Sequence, residues 1–405
     1  MKVKILVLAE VTAGGEWIAN QRLIEAVKKK SGNHFEFYLI GFTDKKQSRL
    51  SSFQKSTLFP HSTAKRPFSF IKKLILDYLS ARKRIKEAIA NQEFDYYWVA
   101  YYFMTLPLLS LPLISKNRII YAFHGTRGLF FKKVININYR ELIIRVLEFL
   151  SLNSINTIIT DSKEAENFLR RVLGIFSKKK KFFVLENSVP EEFFKIYSKT
   201  KLMIFKNQLK IPKQSRIILY SGRMTKYKGL ENLVVAFNRI VRKIKNVSLV
   251  IAYPTCNKDG NVLGVIEDKI KKANTQKHVK FVKDLKQSQL ISLYQISDVL
   301  ILPSEIEMAP LVVIEAFACG IPCIGTKTGN MPSLISQIDS NLILDGNHPQ
   351  EIYKKLIYFL NIPKNKARKI KDKARMLAKN FSYKNQAKKF IELIDYLDNS
   401  NAPEF

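Results

Sequence analysis

The sequence predicts an α/β protein of two domains, each built on a parallel sheet. Three observations carry this. The chain has 405 residues, more than one compact core usually organises. Short apolar runs alternate with helix-length amphipathic stretches, which is the rhythm of β-α-β units. That rhythm restarts after a polar, basic stretch at 186–214, and each half opens with a strand running into a glycine-marked turn.

In order, KILVLAE, FEFYLIGF, YYWVAYY, RIIYAFH and NTIITDS read as strands of the first half. RIILYSG, VSLVIAY, HVKFVKD, DVLILPS and PCIGT read as those of the second. Several are near-continuous apolar runs, as strands buried on both faces require. Between the halves, Pro190 and Pro212 punctuate ENSVPEEFFKIYSKTKLMIFKNQLKIPKQ, and 191–214 is expected to be a linker joining a 1–190 domain to a 215–380 domain. Residues 96–115 carry no charge and just reach the roughly 20 residues of a membrane-spanning helix. Their aromatic first half, with Pro107 and Pro112 in the second, indicates a buried strand followed by a short helix instead.

Composition narrows the function classes. An apolar content of 46%, with 15 Gly and 14 Pro, excludes a disordered or low-complexity chain. Sixty-eight Lys and Arg against 34 Asp and Glu leave a formal charge of +34, which calls for an anionic partner: nucleic acid, anionic lipid or a phosphorylated small molecule. Three cysteines, Cys256, Cys319 and Cys323, speak against a disulfide framework and for a reducing compartment. With no histidine near them, Cys319 and Cys323 read as small buried apolar residues rather than metal ligands. MKVKILVLAE has too short an apolar run for a signal peptide and reads as the first strand.

The two strand-to-helix openings, KILVLAEVTAGGEW and RIILYSGRMTKYKGLENL, fit neither G-x-G-x-x-G nor the Walker A pattern. They still aim backbone N–H groups at the carboxyl edge of a sheet, where anions bind, and two such edges facing each other would form a cleft. In the second opening, Arg223 and Lys228 sit five residues apart around one turn and suit a diphosphate, one as a planar fork and the other as a point charge. In EIEMAPLVVIEAFACGIP, a helix starting near Pro310 and ending at Gly320 puts Glu315 mid-helix. Its neighbours three and four residues away are Leu311, Val312, Ala318 and Cys319, all apolar. A carboxylate so placed needs a partner, and no Lys or Arg stands at helical spacing to supply one, which leaves a ligand such as a ribose diol. The amides around Leu311 and Val312 offer a second anion site at that helix's start.

SGRMTKYKGLENLVVAF and LPSEIEMAPLVVIEAFACGIPCIGTKTGN together resemble the two hallmark segments of the family 4 glycosyltransferases, retaining enzymes of the GT-B architecture, with Glu307 and Glu315 at that family's E-x7-E spacing. The Gly14-Gly15 turn, the strand ending RIIYAFHGT, the NTIITDS strand and the VLENSVPEEFF hinge fall where the family has counterparts. The resemblance implies two Rossmann-like domains facing each other across a cleft, with 381–405 a helix returning to the first. It implies that Arg223 and Lys228 bind the diphosphate of a nucleotide-sugar donor, Glu315 its ribose and Glu307 the hydroxyls of the transferred sugar. Gly14 and Gly15 would let backbone approach the donor, and His124 would contact the donor sugar or assist the acceptor. Met308 and Ser188 stand where the family often has glycine, and TGNMPSLI, with Asn330 and Ser333, replaces a glycine-rich acidic stretch.

No Asp-x-Asp occurs in the chain, so the expectation is a reaction with no catalytic metal and no cofactor. The expected acceptor is a glycan or a lipid-linked molecule, met in the cytoplasm or at the cytoplasmic face of a membrane. The helix expected at 70–92 places Ile71, Leu74, Ile75, Tyr78, Ile85 and Ile89 on one side, with Lys72, Lys73, Arg82, Lys83, Arg84 and Lys86 elsewhere. Packing on the first sheet and contact with anionic lipid are both open to it, and the tracts at 130–133 and 177–181 add basic surface. Two readings compete. A nucleic-acid-binding protein would use the charge, but it has no recognition signature and leaves Glu307 and Glu315 unexplained. A nucleotide-sugar epimerase or sugar-phosphate synthase would keep the architecture and change the chemistry.

Overall fold

The computed structural model describes residues 2–11, 15–43, 50–60, 67–112, 114–124, 139–255 and 262–401. Gly14, Cys256 and the 130–133 tract lie outside them. Contacts divide the chain into two units, Met1–Ser188 with Tyr383–Phe405, and Val189–Ser382.

The first unit runs β1 (Val3–Val11), α1 (Gly15–Ser31), β2 (Phe35–Thr43), β3 (Lys55–Phe59), α2 (Pro67–Asn91), β4 (Tyr96–Val99), α3 (Thr105–Leu109), β5 (Ile119–Phe123), α4 (Tyr139–Ser154), β6 (Thr157–Thr160), α5 (Lys163–Leu173) and β7 (Lys181–Val184). Its sheet is parallel in the order β3-β2-β1-β4-β5-β6-β7. β4, β5 and β6 are buried along their whole length, as continuous apolar runs demand. The apolar stretch around 96–112 resolves into β4, a 3-10 turn and α3, and no helix among the described residues is long and apolar enough to cross a membrane.

The second unit runs α6 (Lys199–Gln208), β8 (Arg216–Ser221), α7 (Leu230–Lys243), β9 (Val247–Tyr253), α8 (Val262–Lys272), β10 (Val279–Lys283), α9 (Gln287–Ile296), β11 (Val299–Leu302), α10 (Leu311–Ala318), β12 (Cys323–Thr326), α11 (Met331–Asp339), β13 (Ile343–Leu344), α12 (Pro349–Asn361) and α13 (Lys364–Ala378). Its sheet is also parallel, in the order β10-β9-β8-β11-β12-β13. The last helix, α14 (Tyr383–Asn401), belongs to the first unit, where Phe390 meets the rings of Phe35 at 5.8 Å and Trp98 at 5.5 Å.

Two segments differ from expectation. Residues 191–214 are packed rather than a free linker: Phe193, Phe205 and Ile211 are buried in the second unit's core, and Ser198 caps α6 by accepting from the Lys201 amide at 3.3 Å. In α2 the side named as apolar splits: Ile85 is buried, beside Asp77 and Ala81, while Ile71 and Ile75 are exposed. Arg82 Nε donates to Ser110 Oγ at 3.0 Å and the Arg84 guanidinium lies 4.8 Å from the Phe59 ring, so two of the helix's arginines serve packing.

The chain enters the second unit at Val189 and leaves it at Ser382, and these two residues form a β-bridge, with the Val189 amide donating to the Phe381 carbonyl at 2.7 Å. Within the first unit, Lys389 Nζ pairs with Glu186 at 2.5 Å.

Candidate functional site

In the second unit, β8 ends in Ser221 and the chain turns through Gly222 and Arg223 into a 3-10 turn, Lys226–Lys228. The Tyr220 hydroxyl donates to the Arg223 carbonyl at 2.8 Å and fixes the start of this turn, leaving the Arg223 side chain exposed. Gly229 has φ +68°, and a Cβ there would lie 2.0 Å from the Pro303 carbonyl oxygen, so only glycine lets the turn rest on the chain after β11. The Tyr227 carbonyl accepts from the Glu305 amide at 2.7 Å, joining the two segments.

This docking sets Lys228 against Glu307. Nζ lies 2.5 Å from Glu307 Oε1, and Ser304 Oγ donates to the same oxygen at 2.9 Å. Ser304 is itself held, its carbonyl accepting from Thr326 Oγ1 on β12 at 2.5 Å. The backbone at Met308 is pinned from the other side: its carbonyl accepts from the Asn330 amide at 2.7 Å, and a Cβ on Gly329, at φ +53°, would approach it to 2.1 Å. Met308 thus stands on a backbone whose close approach is provided by Gly329 instead.

α10 opens directly after Pro310, which places Leu311 and Val312 in its first turn, and it ends at Gly320 with φ +76°. Glu315 lies on the packed side of this helix, 4% exposed. The Tyr294 hydroxyl on α9 donates to its Oε2 at 2.9 Å, so the protein itself answers the demand the sequence raises. Burial, and then the Glu315 carboxylate, push the Tyr294 phenol well above its ordinary range, which keeps it a donor. Cys319 and Cys323 are buried free thiols, raised by burial and held protonated. Among the described residues, no three His, Cys, Asp or Glu side chains are placed to hold a metal ion.

The first unit holds the other residues named from the sequence. Gly15 opens α1. His124 follows β5 and Asp161 follows β6, and the pairing of Phe123 with Thr160 puts the two at neighbouring strand ends. His124 lines a pocket together with Glu10, Glu16, Tyr101, Tyr121 and Glu148. Both of its ring nitrogens are buried without a hydrogen bond, and burial lowers its pKa to about 4, so the ring is neutral at pH 7. Asp161 is 2% exposed with Oδ1 unpartnered, and burial first, with Glu16 adding like charge, lifts its pKa to about 7.

The structure therefore brings Lys228, Glu307 and Ser304 into one cluster, with Leu311, Val312 and Glu315 on the helix that follows. Sequence reasoning missed Ser304, Tyr294 and Asp161. Ser304 and Asp161 stand at strand ends within DVLILPS and NTIITDS, where a polar residue closing an apolar run was the available signal. Tyr294 carried none.

The profile of the family described as Glycosyl transferases group 1 matches residues 201–377. The chain is 29% identical over 151 residues to N-acetyl-alpha-D-glucosaminyl L-malate synthase of Bacillus anthracis, covering 37% of this chain and 38% of that protein. It is 27% identical over 148 residues to D-inositol 3-phosphate glycosyltransferase of Corynebacterium jeikeium, covering 36% and 35%. These matches span little more than a third of the length of the curated relatives. Among solved structures, sucrose-phosphate synthase from Thermosynechococcus elongatus superposes with TM-score 0.80 at 19% identity, over 99% of this chain and 100% of that one. HepE of Anabaena, solved in complex with UDP and glucose, superposes with TM-score 0.73 at 15% identity, over 97% and 99%. The fold is that of the GT-B glycosyltransferases, and residues 201–377, within the second unit, match the group 1 glycosyltransferase family.

Proposed function

We propose that this protein transfers a sugar from a nucleotide-diphosphate donor to a glycan or lipid-linked acceptor, with retention at the anomeric carbon and without a catalytic metal. The observation that carries the reading is the convergence of Lys228 and Ser304 on one oxygen of Glu307, immediately before the helix that carries Glu315. HepE has been solved with UDP-glucose, which supports a nucleotide sugar as donor.

In this reading Arg223 and Lys228 bind the diphosphate, and the first amides of α10, at Leu311 and Val312, take part of its charge. Together they stabilise the leaving group as a metal ion would. Glu307 binds hydroxyls of the transferred sugar, and Glu315, oriented by Tyr294, accepts from the ribose. Gly14 and Gly15 admit the donor to the backbone, and neutral His124 contacts the sugar or the acceptor. The acceptor hydroxyl forms its bond to the anomeric carbon on the face from which the phosphate oxygen departs, and passes its proton to that oxygen. The acceptor is met at the cytoplasmic face of an anionic membrane.

A panel of nucleotide-diphosphate sugars, read by thermal shift and then by release of nucleoside diphosphate with and without acceptor, tests this. Stabilisation by a subset of donors and acceptor-dependent release are expected. Donor interconversion that needs no acceptor would replace the reading with an epimerase.

A further inference from the structure

The first unit exposes apolar side chains in an ordered way. On α2, Ile71, Ile75, Leu76 and Leu79 are 46–53% exposed. At 3.6 residues per turn, Ile71, Ile75 and Leu79 fall within about 80° of helix surface; Lys86 lies within that arc, and Lys72 and Lys83 lie within about 40° of its edge. On α4, Tyr139, Leu142, Val146 and Leu150 are 44–55% exposed and fall within about 80° as well. The 3-10 turn Gly174–Lys179 adds Ile175 at 75% and Phe176 at 48%, followed by exposed Lys178 and Lys179.

Ring contacts join the three elements. Phe70 of α2 meets the Tyr139 ring of α4 at 6.3 Å, with the Arg140 guanidinium 5.4 Å from the Phe70 ring. Phe149 of α4 meets the Phe176 ring at 6.3 Å. The turn that carries Ile175 and Phe176 is anchored: Lys180 Nζ donates to the carbonyls of Asn153 and Ile155 at 2.9 and 2.7 Å, at the end of α4, and Ser177 Oγ donates to the Gly174 carbonyl at 2.7 Å. The apolar side chains are held outward by a built structure.

Such a face calls for an occupant. A second copy would bring Lys72, Lys83, Lys86, Lys178 and Lys179 against their own kind, on a protein already carrying +34. Nucleic acid would satisfy the lysines and leave the leucines and isoleucines in water. Only a surface that is anionic outside and apolar just beneath suits both sets. We propose that α2, α4 and the Gly174–Lys179 turn form a face that inserts into the headgroup region of an anionic bilayer. It lies in the first unit, outside residues 201–377, and it rests on the transferase reading only for its purpose, holding the protein where a lipid-linked acceptor is found.

The test uses the full chain without donor or acceptor, and vesicles of phosphatidylcholine with or without phosphatidylglycerol. Sedimentation with the anionic vesicles alone is expected. Lys72→Gln, Lys83→Gln and Lys86→Gln together should weaken binding roughly a hundredfold. The charge-preserving Leu142→Ser, Val146→Ser and Leu150→Ser together should weaken it at least about tenfold. Binding by that second variant equal to the parent's would overturn insertion in favour of charge alone, and absence of parent binding would overturn the proposal outright. Self-association lost in that variant, with no vesicle binding, would assign the face to a second copy instead. Should the triple variant fail to fold, Val146→Trp gives an independent reading, since Trp17 and Trp98 are both buried. Its emission should shift to the blue and be quenched by brominated lipid only in anionic vesicles, and an unshifted emission would refute insertion. Stabilisation by nucleotide-diphosphate sugars should be the same in every variant. Its absence alongside intact vesicle binding would refute the transferase reading and leave this face standing.

Discussion

Two buried sites, one in each unit, handle their ionisable groups in opposite ways. In the second, Glu307 accepts from Lys228 and Ser304, and Glu315 from Tyr294, so each carboxylate is oriented by neighbours on other elements. In the first, His124 has two buried ring nitrogens and Asp161 a carboxylate oxygen with no hydrogen bond at all. One region is organised by its own contacts. The other stores the cost of burying polar groups at two adjacent strand ends, which is where shifted pKa values and functional groups concentrate.

The largest effect is expected from removing the cation beside Glu307. Lys228→Met is expected to lower kcat/KM by roughly 10²–10³-fold, as loss of a charge-stabilising donor does. A lower melting temperature is expected as well, since Glu307, with its side chain only 10% exposed, would keep Ser304 but lose its cation. A steady-state assay beside a melting curve checks it, and an unaltered rate would remove Lys228 from the site.

The pH dependence of stability comes next. Asp161 has a folded pKa, about 7, above its unfolded value, so its contribution is fully present below pH 4 and is lost as pH rises to about 7. His124, with a folded pKa of about 4 against an unfolded 6.5, does the reverse, gaining stability as pH rises between those values. In the parent the two slopes oppose each other from pH 4 to 6.5. Asp161→Asn should therefore unmask a rise across that window of up to about 1.4 kcal/mol per pH unit, and His124→Gln a fall of similar size. Denaturant titrations at a series of pH values measure both, and identical profiles in parent and variants would show the groups to be solvated.

Tyr294→Phe probes the organised side. Taking the hydroxyl from a buried carboxylate is expected to cost about 1–3 kcal/mol, seen as a lower melting temperature, with weaker donor binding. Weaker donor binding without loss of stability would locate the tyrosine's role in the ligand alone. Smallest is Ser304→Ala, which leaves Lys228 on Glu307 and should reduce turnover by about tenfold with the fold intact, matching about 1.5 kcal/mol for a hydrogen bond to a charged group. A KM change without a kcat change would mean that Ser304 aids ground-state binding rather than the orientation of Glu307.

Much of this was legible in the sequence. The strands buried on both faces announce themselves as apolar runs, and the spacing of Glu307 and Glu315 singled out the segment that the structure builds into a cluster. What escaped was either short or tertiary. β3 and β7 are edge strands of a few residues with mixed polarity, and the edge strand β13 is only Ile343 and Leu344, all too brief for a pattern. Tyr294 reaches Glu315 from another helix, and nothing in local spacing encodes that meeting. The 191–214 stretch is polar on average, yet Phe193, Phe205 and Ile211 are enough to bury it, because burial is decided residue by residue. In α2 the apolar side named from sequence splits between core and solvent, since periodicity identifies a stripe and not what covers it.

The crossing of the chain between units at Val189 and Ser382 bears on how the protein is made. The second unit is an insertion whose two ends lie side by side, so its core can close as soon as residue 382 has left the ribosome. The first unit cannot finish then, because Phe390, Ile394 and Leu397 of α14 belong to its core. At about 5–20 residues per second, the 194 residues between Ser188 and Tyr383 (382 − 188) impose a wait of about 10–40 s on a sheet lacking its last helix. The core of the unit that is begun first is thus completed only once α14 has been made.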